Sequence, residues 1–497
     1  MRILLLSMPD SFEHMPALTT RMPNGALASL AGNVDDHHEV AIADLILAQG
    51  RVAETVDRLL ADRAPDVVGL SVMTFQRRTA LRLVARIHER RPAAVIVAGG
   101  YDPSLAPDAY MDGPGAVDVI VRSEGEATFR DLVRALETGR PLADVAGLWF
   151  REDGTWHQNP PRPIARLDGE PLRLPRRGAR ALSGYTLLGQ PIDVVETSRG
   201  CTFDCSFCSI IEMRGRNFHR FAIERVLDDI RDAREHGARV VFLVDDNITL
   251  DVRRFEALCQ AIIDARLDGL AYIVQAMTSS IADHGATLVP LMRRAGFRYV
   301  FLGIENVVAG DLEFLRAAAK NVRHDHGRQV GSAAVRAIEL LHEHGLYVVG
   351  GLIVGNPDDT AASIEANLEF ARRYVDWPYI QHPTPYPGTP MTVELQRDGL
   401  IEHERFEEYD GTTAVVRTRH LAAVDIEYMR WRAERWMKVR HLPAAVRQSP
   451  GFVLKNGLRM LRHTFRGSTW RSALGLESSR AAFSRYRALR RAEREYL

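Results

Sequence analysis

The chain has 497 residues, of which 46% are hydrophobic and 26% are charged, and its 64 basic and 64 acidic residues give a formal net charge of zero. That composition is typical of a globular protein of about three domains, and it excludes a strongly basic nucleic-acid-binding chain as well as a cysteine-rich disulfide scaffold. No apolar run approaches the ~20 residues of a membrane span, and Met1–Ser7 is too short for a signal peptide, so the sequence predicts a cytoplasmic protein without nucleic-acid partners.

Residues 1–145 alternate short apolar strands with amphipathic helices. The predicted strands are Ile3–Ser7, Val40–Ile42, Asp66–Val72, Ala94–Ala98 and Val117–Val121. The predicted helices are Gly25–Val34, Val52–Ala61, Arg78–Arg90 and Thr128–Glu137. Continuous apolar strands separated by helices indicate a parallel, doubly wound, Rossmann-like sheet, and therefore an α/β fold.

Ligands of such sheets bind at the carboxyl ends of the strands. Small and polar residues follow three of the predicted strands, and we expect a ligand to contact Ser71, Met73, Thr74, Gly99, Gly100, Glu124 and Gly125. The Gly99-Gly100 pair would let the backbone approach a large flat ligand closely.

Residues 146–190 carry turn and extended signals, such as Asp153-Gly154 and Pro160-Pro161, and predict a linker. The strand–helix alternation resumes over residues 191–390. Its predicted strands are Ile192–Glu196, Val240–Val244, Tyr272–Ala276, Tyr299–Glu305, Val348–Gly355 and Tyr379–Gln381. Six such units fit an open, partial (β/α)6 barrel, whose functional groups belong at the carboxyl ends of the strands.

Three cysteines, Cys201, Cys205 and Cys208, lie directly after the first of these strands. Three soft thiolates at this spacing can hold three corners of a 4Fe–4S cluster and leave one iron open to a reactant. A zinc site with His219 as the fourth ligand is the alternative, although structural zinc loops more often use two separated ligand pairs. Cys259 lies in a helical stretch and is predicted to be an ordinary core cysteine.

The Cys-x3-Cys-x2-Cys spacing, with Phe207 before the last cysteine, resembles the radical S-adenosylmethionine (radical SAM) superfamily. The resemblance implies a 4Fe–4S cluster whose open iron binds the amino and carboxylate groups of SAM. It also implies that SAM is contacted by residues near the strand ends, namely Arg220, Asp245, Asn247, Glu305 and Gly355. For Asp246 and Asp251 the simpler alternative is a helix cap.

The first domain resembles the cobalamin-binding domain that precedes many radical SAM cores. One departure is that Met8–His14, after the first strand, lacks the Asp-x-His-x-x-Gly pattern that supplies an axial histidine. The resemblance therefore implies cobalamin bound without a protein imidazole. We predict that His37 and His38 are solvated turn residues. A degenerate domain that packs but binds nothing is the alternative.

Residues 391–497 are predicted to form a helical region. From Arg440 onward the sequence contains thirteen Lys and Arg residues but only three acidic residues, with apolar residues interspersed. This pattern favours a solvated helical cover over the barrel mouth. A helix lying on anionic lipid is the alternative, which leaves peripheral membrane contact open.

Together, residues 1–390 resemble a cobalamin-dependent radical SAM enzyme with a 4Fe–4S cluster, SAM and cobalamin as cofactors. The family's chemistry is cleavage of SAM to a 5′-deoxyadenosyl radical, which removes hydrogen from an unactivated carbon. We expect methyl transfer to a small, lipophilic molecule, with flavodoxin or ferredoxin as electron donor and no catalytic side chain assigned. The alternatives are radical ring closure, as in the anaerobic cyclase of the bacteriochlorophyll pathway, and a non-catalytic cobalamin or metal sensor.

Overall fold

The computed structural model describes residues 1–11, 19–164, 167, 172–325, 328–440 and 442–497. The Phe12–His14 part of the segment after the first strand therefore lies outside the described residues. The N-terminal elements are β1 (Arg2–Ser7), β2 (Thr20–Arg21), α1 (Gly25–Asn33), β3 (Glu39–Asp44), α2 (Val52–Arg63), β4 (Val67–Ser71), α3 (Arg77–Arg90), β5 (Val95–Gly99), α4 (Tyr101–Leu105), β6 (Val119–Val121), α5 (Glu126–Thr138), β7 (Leu148–Glu152) and β8 (Thr155–Gln158).

The first sheet has the strand order β3-β1-β4-β5-β6-β7-β8, with its first five strands parallel. All residues of β1 after Arg2 are buried, because separate apolar clusters cover the two faces of the sheet. The predicted Rossmann-like α/β domain is confirmed. The strand order reverses between β1 and β4, and this switch point is where doubly wound sheets bind ligands.

The predicted linker contains two β-strands that its turn signals did not indicate. β7 pairs antiparallel with β6 and β8 pairs antiparallel with β7, so this hairpin extends the first sheet. Asp153 and Gly154 form the turn between the two strands, as predicted. The hairpin was missed because its second strand is largely exposed and short of apolar residues.

The second unit contains β9 (Thr186–Leu187), β10 (Gln190–Val195), β11 (Ser198–Arg199), α6 (Ser209–Arg214), β12 (His219–Arg220), α7 (Ile223–Glu235), β13 (Val240–Leu243), α8 (Val252–Asp264), β14 (Ala271–Met277), α9 (Thr278–Arg294), β15 (Phe297–Glu305), α10 (Ala309–Phe314), α11 (Ala318–Asn321), β16 (Val322–Asp325), β17 (Arg328–Ser332), α12 (Ala333–Glu343), β18 (Tyr347–Ile353), α13 (Ala361–Tyr374) and β19 (Trp377–Gln381). Six parallel strands follow one another as β10-β13-β14-β15-β18-β19, which are the six predicted barrel strands. Antiparallel β9 and then β2 extend this sheet at the β10 edge. The N-terminal chain thus contributes a strand to the second sheet, which joins the two units.

The C-terminal region is helical, as predicted, with α14 (Pro390–Arg397), α15 (Ala423–Arg440), α16 (Leu442–Gln448), α17 (Pro450–Thr464), α18 (Trp470–Ala473) and α19 (Ser479–Ala492). α15 packs against α13 and β19, and α19 packs against α15. Arg490 of α19 is buried and donates to Asp410 at 2.5 Å, which ties the last helix to the loop after the barrel.

α15 thus packs on the barrel and α19 packs on α15, whereas the leucines at 454 and 458 of α17 are exposed; a cover over the barrel mouth stays a prediction. Within the described part of the chain, no helix combines the length and the apolarity needed to cross a membrane. The described residues also form 3-10 turns at Leu45–Arg51, Thr74–Gln76, Pro107–Tyr110, Leu142–Asp144, Arg177–Ala179, Ile248–Asp251 and Phe406–Glu408.

Candidate active site

The cysteine loop runs between β11 and β12, which pair antiparallel and close it at its base. Gly200 opens the loop with a φ of +89°, and a Cβ there would lie 2.4 Å from the carbonyl oxygen of Asn217, so only glycine fits. The middle of the loop is held by Ser206, whose N–H donates to the carbonyl of Leu315 at 3.0 Å and whose hydroxyl donates to that of Phe314 at 2.8 Å. A segment more than 100 residues away thus fixes the loop.

All three loop cysteines are free thiols; Cys201 and Cys205 are buried and Cys208 is half-buried. A tetrahedral zinc ion with Zn–S bonds of about 2.3 Å would need its sulfur ligands about 4 Å apart. Among the described residues, the one group of three potential ligands within 4.8 Å of one another lies elsewhere, so these sulfurs are spread more widely. In this conformation the three sulfurs therefore do not form a single compact zinc site. Cys259 is fully buried within the core of the second unit, as predicted.

Asp245 anchors the residues that lead into this loop. Its carboxylate accepts from the Thr197 N–H at 2.6 Å, the Thr197 hydroxyl at 2.5 Å and the Ser198 hydroxyl at 2.5 Å. Burial raises the pKa of Asp245 to about 6, against the lowering effect of these hydrogen bonds. Both oxygens of Asp245 thus accept hydrogen bonds within the protein, and its contact with SAM stays a prediction.

The neighbouring Asp246 faces the cavity instead. Its carboxylate accepts from the Gly200 N–H at 2.7 Å and lies 3.6 Å from the Arg214 guanidinium. It does not cap a helix, whereas Asp251 does cap α8 by accepting from the Arg254 N–H. Of these two adjacent carboxylates, only Asp246 lines the cavity, which the sequence could not reveal.

The other residues predicted to contact SAM are distributed around the loop. Asn247 is buried and accepts from the Thr249 hydroxyl at 3.0 Å. Glu305 ends β15 with a φ of +62°, and burial raises the pKa of its carboxyl. Phe207 packs against the cluster of Ile353 and Met391. The exposed guanidinium of Arg220 pairs with Asp251 at 2.6 Å, and its contact with SAM stays a prediction.

Gly355 has a φ of +96°, and its N–H donates to Asp359 at 2.8 Å. A Cβ at this position would lie 2.8 Å from Ile426 of α15, so the loop after β18 and the C-terminal helix approach each other closely. The predicted contact of Gly355 with SAM stays a prediction.

A cavity of about 380 Å³ lies between the two units. It runs from Leu5 and Phe129 inside the N-terminal domain to Arg214 and Asp246 beside the cysteine loop. Among the residues predicted from the strand ends, those that line it are Ser71, Met73, Gly99, Gly100, Glu124 and Gly125. Thr74 does not line it, because the chain turns inward there and buries its side chain. The cavity lies at the switch point of the first sheet.

Gly100 lets the backbone line this cavity. Its φ is +103°, and a Cβ there would lie 2.8 Å from the carbonyl oxygen of Val72. We expect Gly100→Ala to weaken cobalamin binding at least about tenfold, because the strained tip must move into the space that the corrin needs. Absorbance titration with hydroxocobalamin measures this, with Gly50→Ala, a substitution into open space in the same domain, as the matched control. Equal affinities of the two variants would place the corrin elsewhere.

An ion network crosses the boundary between the units at this cavity. Arg199, two residues before Cys201, donates to Glu126 of α5 at 2.6 Å and to Glu196 at 2.8 Å. Both Arg199 and Glu126 are buried. Burial alone would raise the pKa of Glu126, but Arg199 and a hydrogen bond from Ser29 hold it at about 2. The cysteine loop is thereby fixed relative to the first sheet.

Two more side chains at the site carried no sequence signal. Tyr101 follows Gly100, lines the cavity, and its phenol pKa is raised by burial and by the nearby Asp246 carboxylate. The buried Lys320 ammonium lies near Cys205 and Glu305, whose negative charges raise its pKa. Lys320 is 115 positions from Cys205 and belongs to no motif, so only the fold could reveal it. Arg199 had one usable signal, its position beside Gly200-Cys201.

The prediction that His37 and His38 are both solvated is wrong for His38. Its side chain is fully buried, and its Nδ1 lies 3.0 Å from the Met1 amino nitrogen. His37 is exposed and pairs with Glu137 at 3.0 Å. Both precede β3 at the edge of the sheet opposite the cavity, so neither is an axial ligand for a group bound there.

Two family models match the chain, the B12 binding domain over residues 17–133 and the radical SAM superfamily over residues 195–371. The first covers the sheet that carries the cavity, and the second covers the cysteine loop and the barrel strands up to β18. The chain is a radical SAM protein with a B12-binding domain. The predicted cofactors, a 4Fe–4S cluster, SAM and cobalamin, agree with these two domains.

The similarity of this radical SAM protein to individual relatives extends beyond the two matched domains. An uncharacterized methyltransferase of Pyrococcus horikoshii is 27% identical over 94% of this chain and 99% of its own length. The anaerobic magnesium-protoporphyrin IX monomethyl ester cyclase of Synechocystis is 29% identical over 70% of this chain and 67% of its own length. The structure of the methyltransferase TsrM from Kitasatospora setae, with cobalamin and a [4Fe-4S] cluster bound, superposes with a TM-score of 0.64 at 20% identity, covering 80% of this chain and 75% of that one.

Proposed function

We propose that this protein is a cobalamin-dependent radical SAM enzyme that transfers a methyl group to an unactivated carbon of a small molecule. The observation that carries the proposal is the single cavity between the two units. One side is lined by the strand ends of the B12-binding domain and the other by residues next to the cysteine loop. Methyl relay needs both cofactors at one substrate carbon, and this geometry supports that requirement.

The residues present suit these groups. Cys201, Cys205 and Cys208 would hold the cluster, and Gly100 and Gly125 line the cavity in which the corrin would lie. When bound, the cluster with SAM supplies a 5′-deoxyadenosyl radical and cobalamin supplies methyl transfer. The chain itself positions the reactants and excludes water, chiefly through the buried ion network around Arg199.

Methyl transfer is preferred to ring closure because of the extent of the similarity. The relative from Pyrococcus, named a methyltransferase, is similar over 94% of this chain, including the C-terminal helices that pack beside Gly355. The cyclase from Synechocystis is similar over 70%. The second candidate function for the same cavity is ring closure on a flat tetrapyrrole, the type of reaction after which this cyclase is named.

A small acidic redox protein, flavodoxin or ferredoxin, is the proposed electron donor. Thr202 and Asp204 of the cysteine loop are exposed, which brings the cluster close to the surface. Arg216 and Arg220 beside the loop are both more than half exposed. Both are paired with carboxylates, Arg216 with Asp204 and Arg220 with Asp251, so the exposure of the loop, and not free positive charge, supports docking of the donor here.

The test is anaerobic turnover of the reconstituted protein with methyl-labelled SAM, a reductant and cobalamin. We expect S-adenosylhomocysteine and 5′-deoxyadenosine in comparable amounts, with label in the product, when lipophilic polycyclic or isoprenoid compounds are supplied. Mass spectrometry measures all three. Formation of 5′-deoxyadenosine without S-adenosylhomocysteine or labelled product would establish the cyclase alternative. Cofactor binding without any SAM cleavage would establish a sensor.

A further inference from the structure

Residues 436–476, here called the basic apolar segment, concentrate charge of one sign in a chain that is neutral overall. The segment contains eight Lys and Arg residues and no Asp or Glu. The rest of the chain carries 56 basic and 64 acidic residues. The positive charge is therefore local, and it does not reflect a generally basic protein.

The same segment carries most of the exposed large hydrophobic side chains of the described chain, eight of twelve. They are Trp436, Val446, Leu454, Leu458, Leu461, Trp470, Leu474 and Leu476. Isolated exposed apolar residues are normal, but a concentration of this kind marks an interaction surface.

Helix α17 shows how this surface is built. Leu454, Leu458 and Leu461 lie at positions i, i+4 and i+7, so they form one row along the helix, and the first two are 91% and 86% exposed. Lys455, Arg459 and Arg462 repeat the same spacing one residue later and form a parallel, exposed row of cations. Within the described residues these three cations have no carboxylate partner.

The opposite face of α17 holds the helix on the protein. A Cβ on Gly189 would lie 3.2 Å from the Phe452 ring, so Phe452 packs on the turn between β9 and β10. Asn456 is buried and donates to the Phe452 carbonyl at 3.2 Å. Since the inward face is already anchored, the leucine row is directed away from the protein and is free to contact a partner.

We propose that the basic apolar segment docks the protein on the surface of an anionic lipid membrane. A row of leucines beside a row of cations is the arrangement of interfacial helices, in which the apolar side chains enter the acyl boundary and the cations contact lipid phosphates. The tryptophans at 436 and 470 suit the same interface, where amphipathic rings are favoured. An acidic protein partner would match the cations but would leave the highly exposed leucines unexplained.

The proposal is tested by co-sedimentation of the full-length, cofactor-loaded protein with vesicles of phosphatidylcholine, alone or mixed with phosphatidylglycerol. We expect binding to the mixed vesicles that decreases as sodium chloride is raised. Leu454→Gln/Leu458→Gln should lower the partition coefficient by about tenfold or more, because two apolar side chains no longer enter the bilayer. Lys455→Glu/Arg459→Glu should lower it by about tenfold on anionic vesicles.

Val393→Gln is the matched control, because Val393 is 63% exposed on α14 outside the segment, and it should bind vesicles like the parent protein. Unchanged vesicle binding by the leucine variant would overturn the proposal, as would salt-independent binding to neutral vesicles. A dimer in sedimentation velocity that the leucine variant abolishes, without vesicle binding, would identify a second copy as the occupant and also overturn it. Because sedimentation needs no turnover, failure here is distinct from failure of the proposed methyl transfer.

Discussion

Replacing any one of Cys201, Cys205 and Cys208 by alanine will abolish the iron–sulfur absorbance and SAM cleavage together. The three thiols lie in one loop that is anchored by Asp245 and by the Phe314 and Leu315 carbonyls, and we expect a cluster with only three protein ligands to be lost when one of them is removed. Ultraviolet–visible and electron paramagnetic resonance spectra measure the cluster, and chromatography of 5′-deoxyadenosine measures the cleavage.

Cys259→Ala is the control for this series. Its thiol is buried in α8 within the apolar core, and the substitution should cost stability of about 1 kcal/mol while leaving cluster and cleavage intact. Loss of the cluster in Cys259→Ala together with its retention in Cys208→Ala would refute the proposed ligand set.

Arg199→Met is expected to lower the free energy of unfolding by about 3–5 kcal/mol, because it leaves Glu126 charged and buried without its partner. The double variant Arg199→Met/Glu126→Gln should recover much of this loss, since no uncompensated charge remains. Arg86→Met is the matched control: Arg86 pairs with Asp57 at 2.6 Å in the same domain, but both side chains are 30% exposed. An exposed pair of this kind contributes at most about 1 kcal/mol. Urea unfolding measures all three.

The pH dependence of stability gives a second measurement of the same pair. The pKa of Glu126 is lowered from 4.5 to about 2 in the folded protein, so its stabilising contribution is fully present above pH 4.5 and is lost as the pH falls toward 2. The double variant should lack this component of the acid destabilisation. If Arg199→Met is no more destabilising than Arg86→Met, and the acid profiles coincide, the buried pair does not join the two units.

The sequence by itself determined the order and type of the main elements. Both sheets and the three-cysteine loop follow from local signals: apolar strand runs, helical periodicity and cysteine spacing. These depend on neighbours in the chain, which is why β1 and the six barrel strands lie where they were predicted. The linker hairpin was missed because β8 is an exposed edge strand, and such strands lack the apolar pattern that identifies buried ones.

Only the tertiary structure decided which side chains face the site. Asp245 and Asp246 are adjacent in sequence, yet Asp245 hydrogen-bonds Thr197 and Ser198, whereas Asp246 hydrogen-bonds Gly200 and lines the cavity. Lys320 reaches Cys205, and Glu126 reaches Arg199, across contacts that no local pattern encodes. His38 is buried because the chain terminus packs on it. Burial and pairing depend on residues that are distant in the chain, so these assignments required the folded molecule.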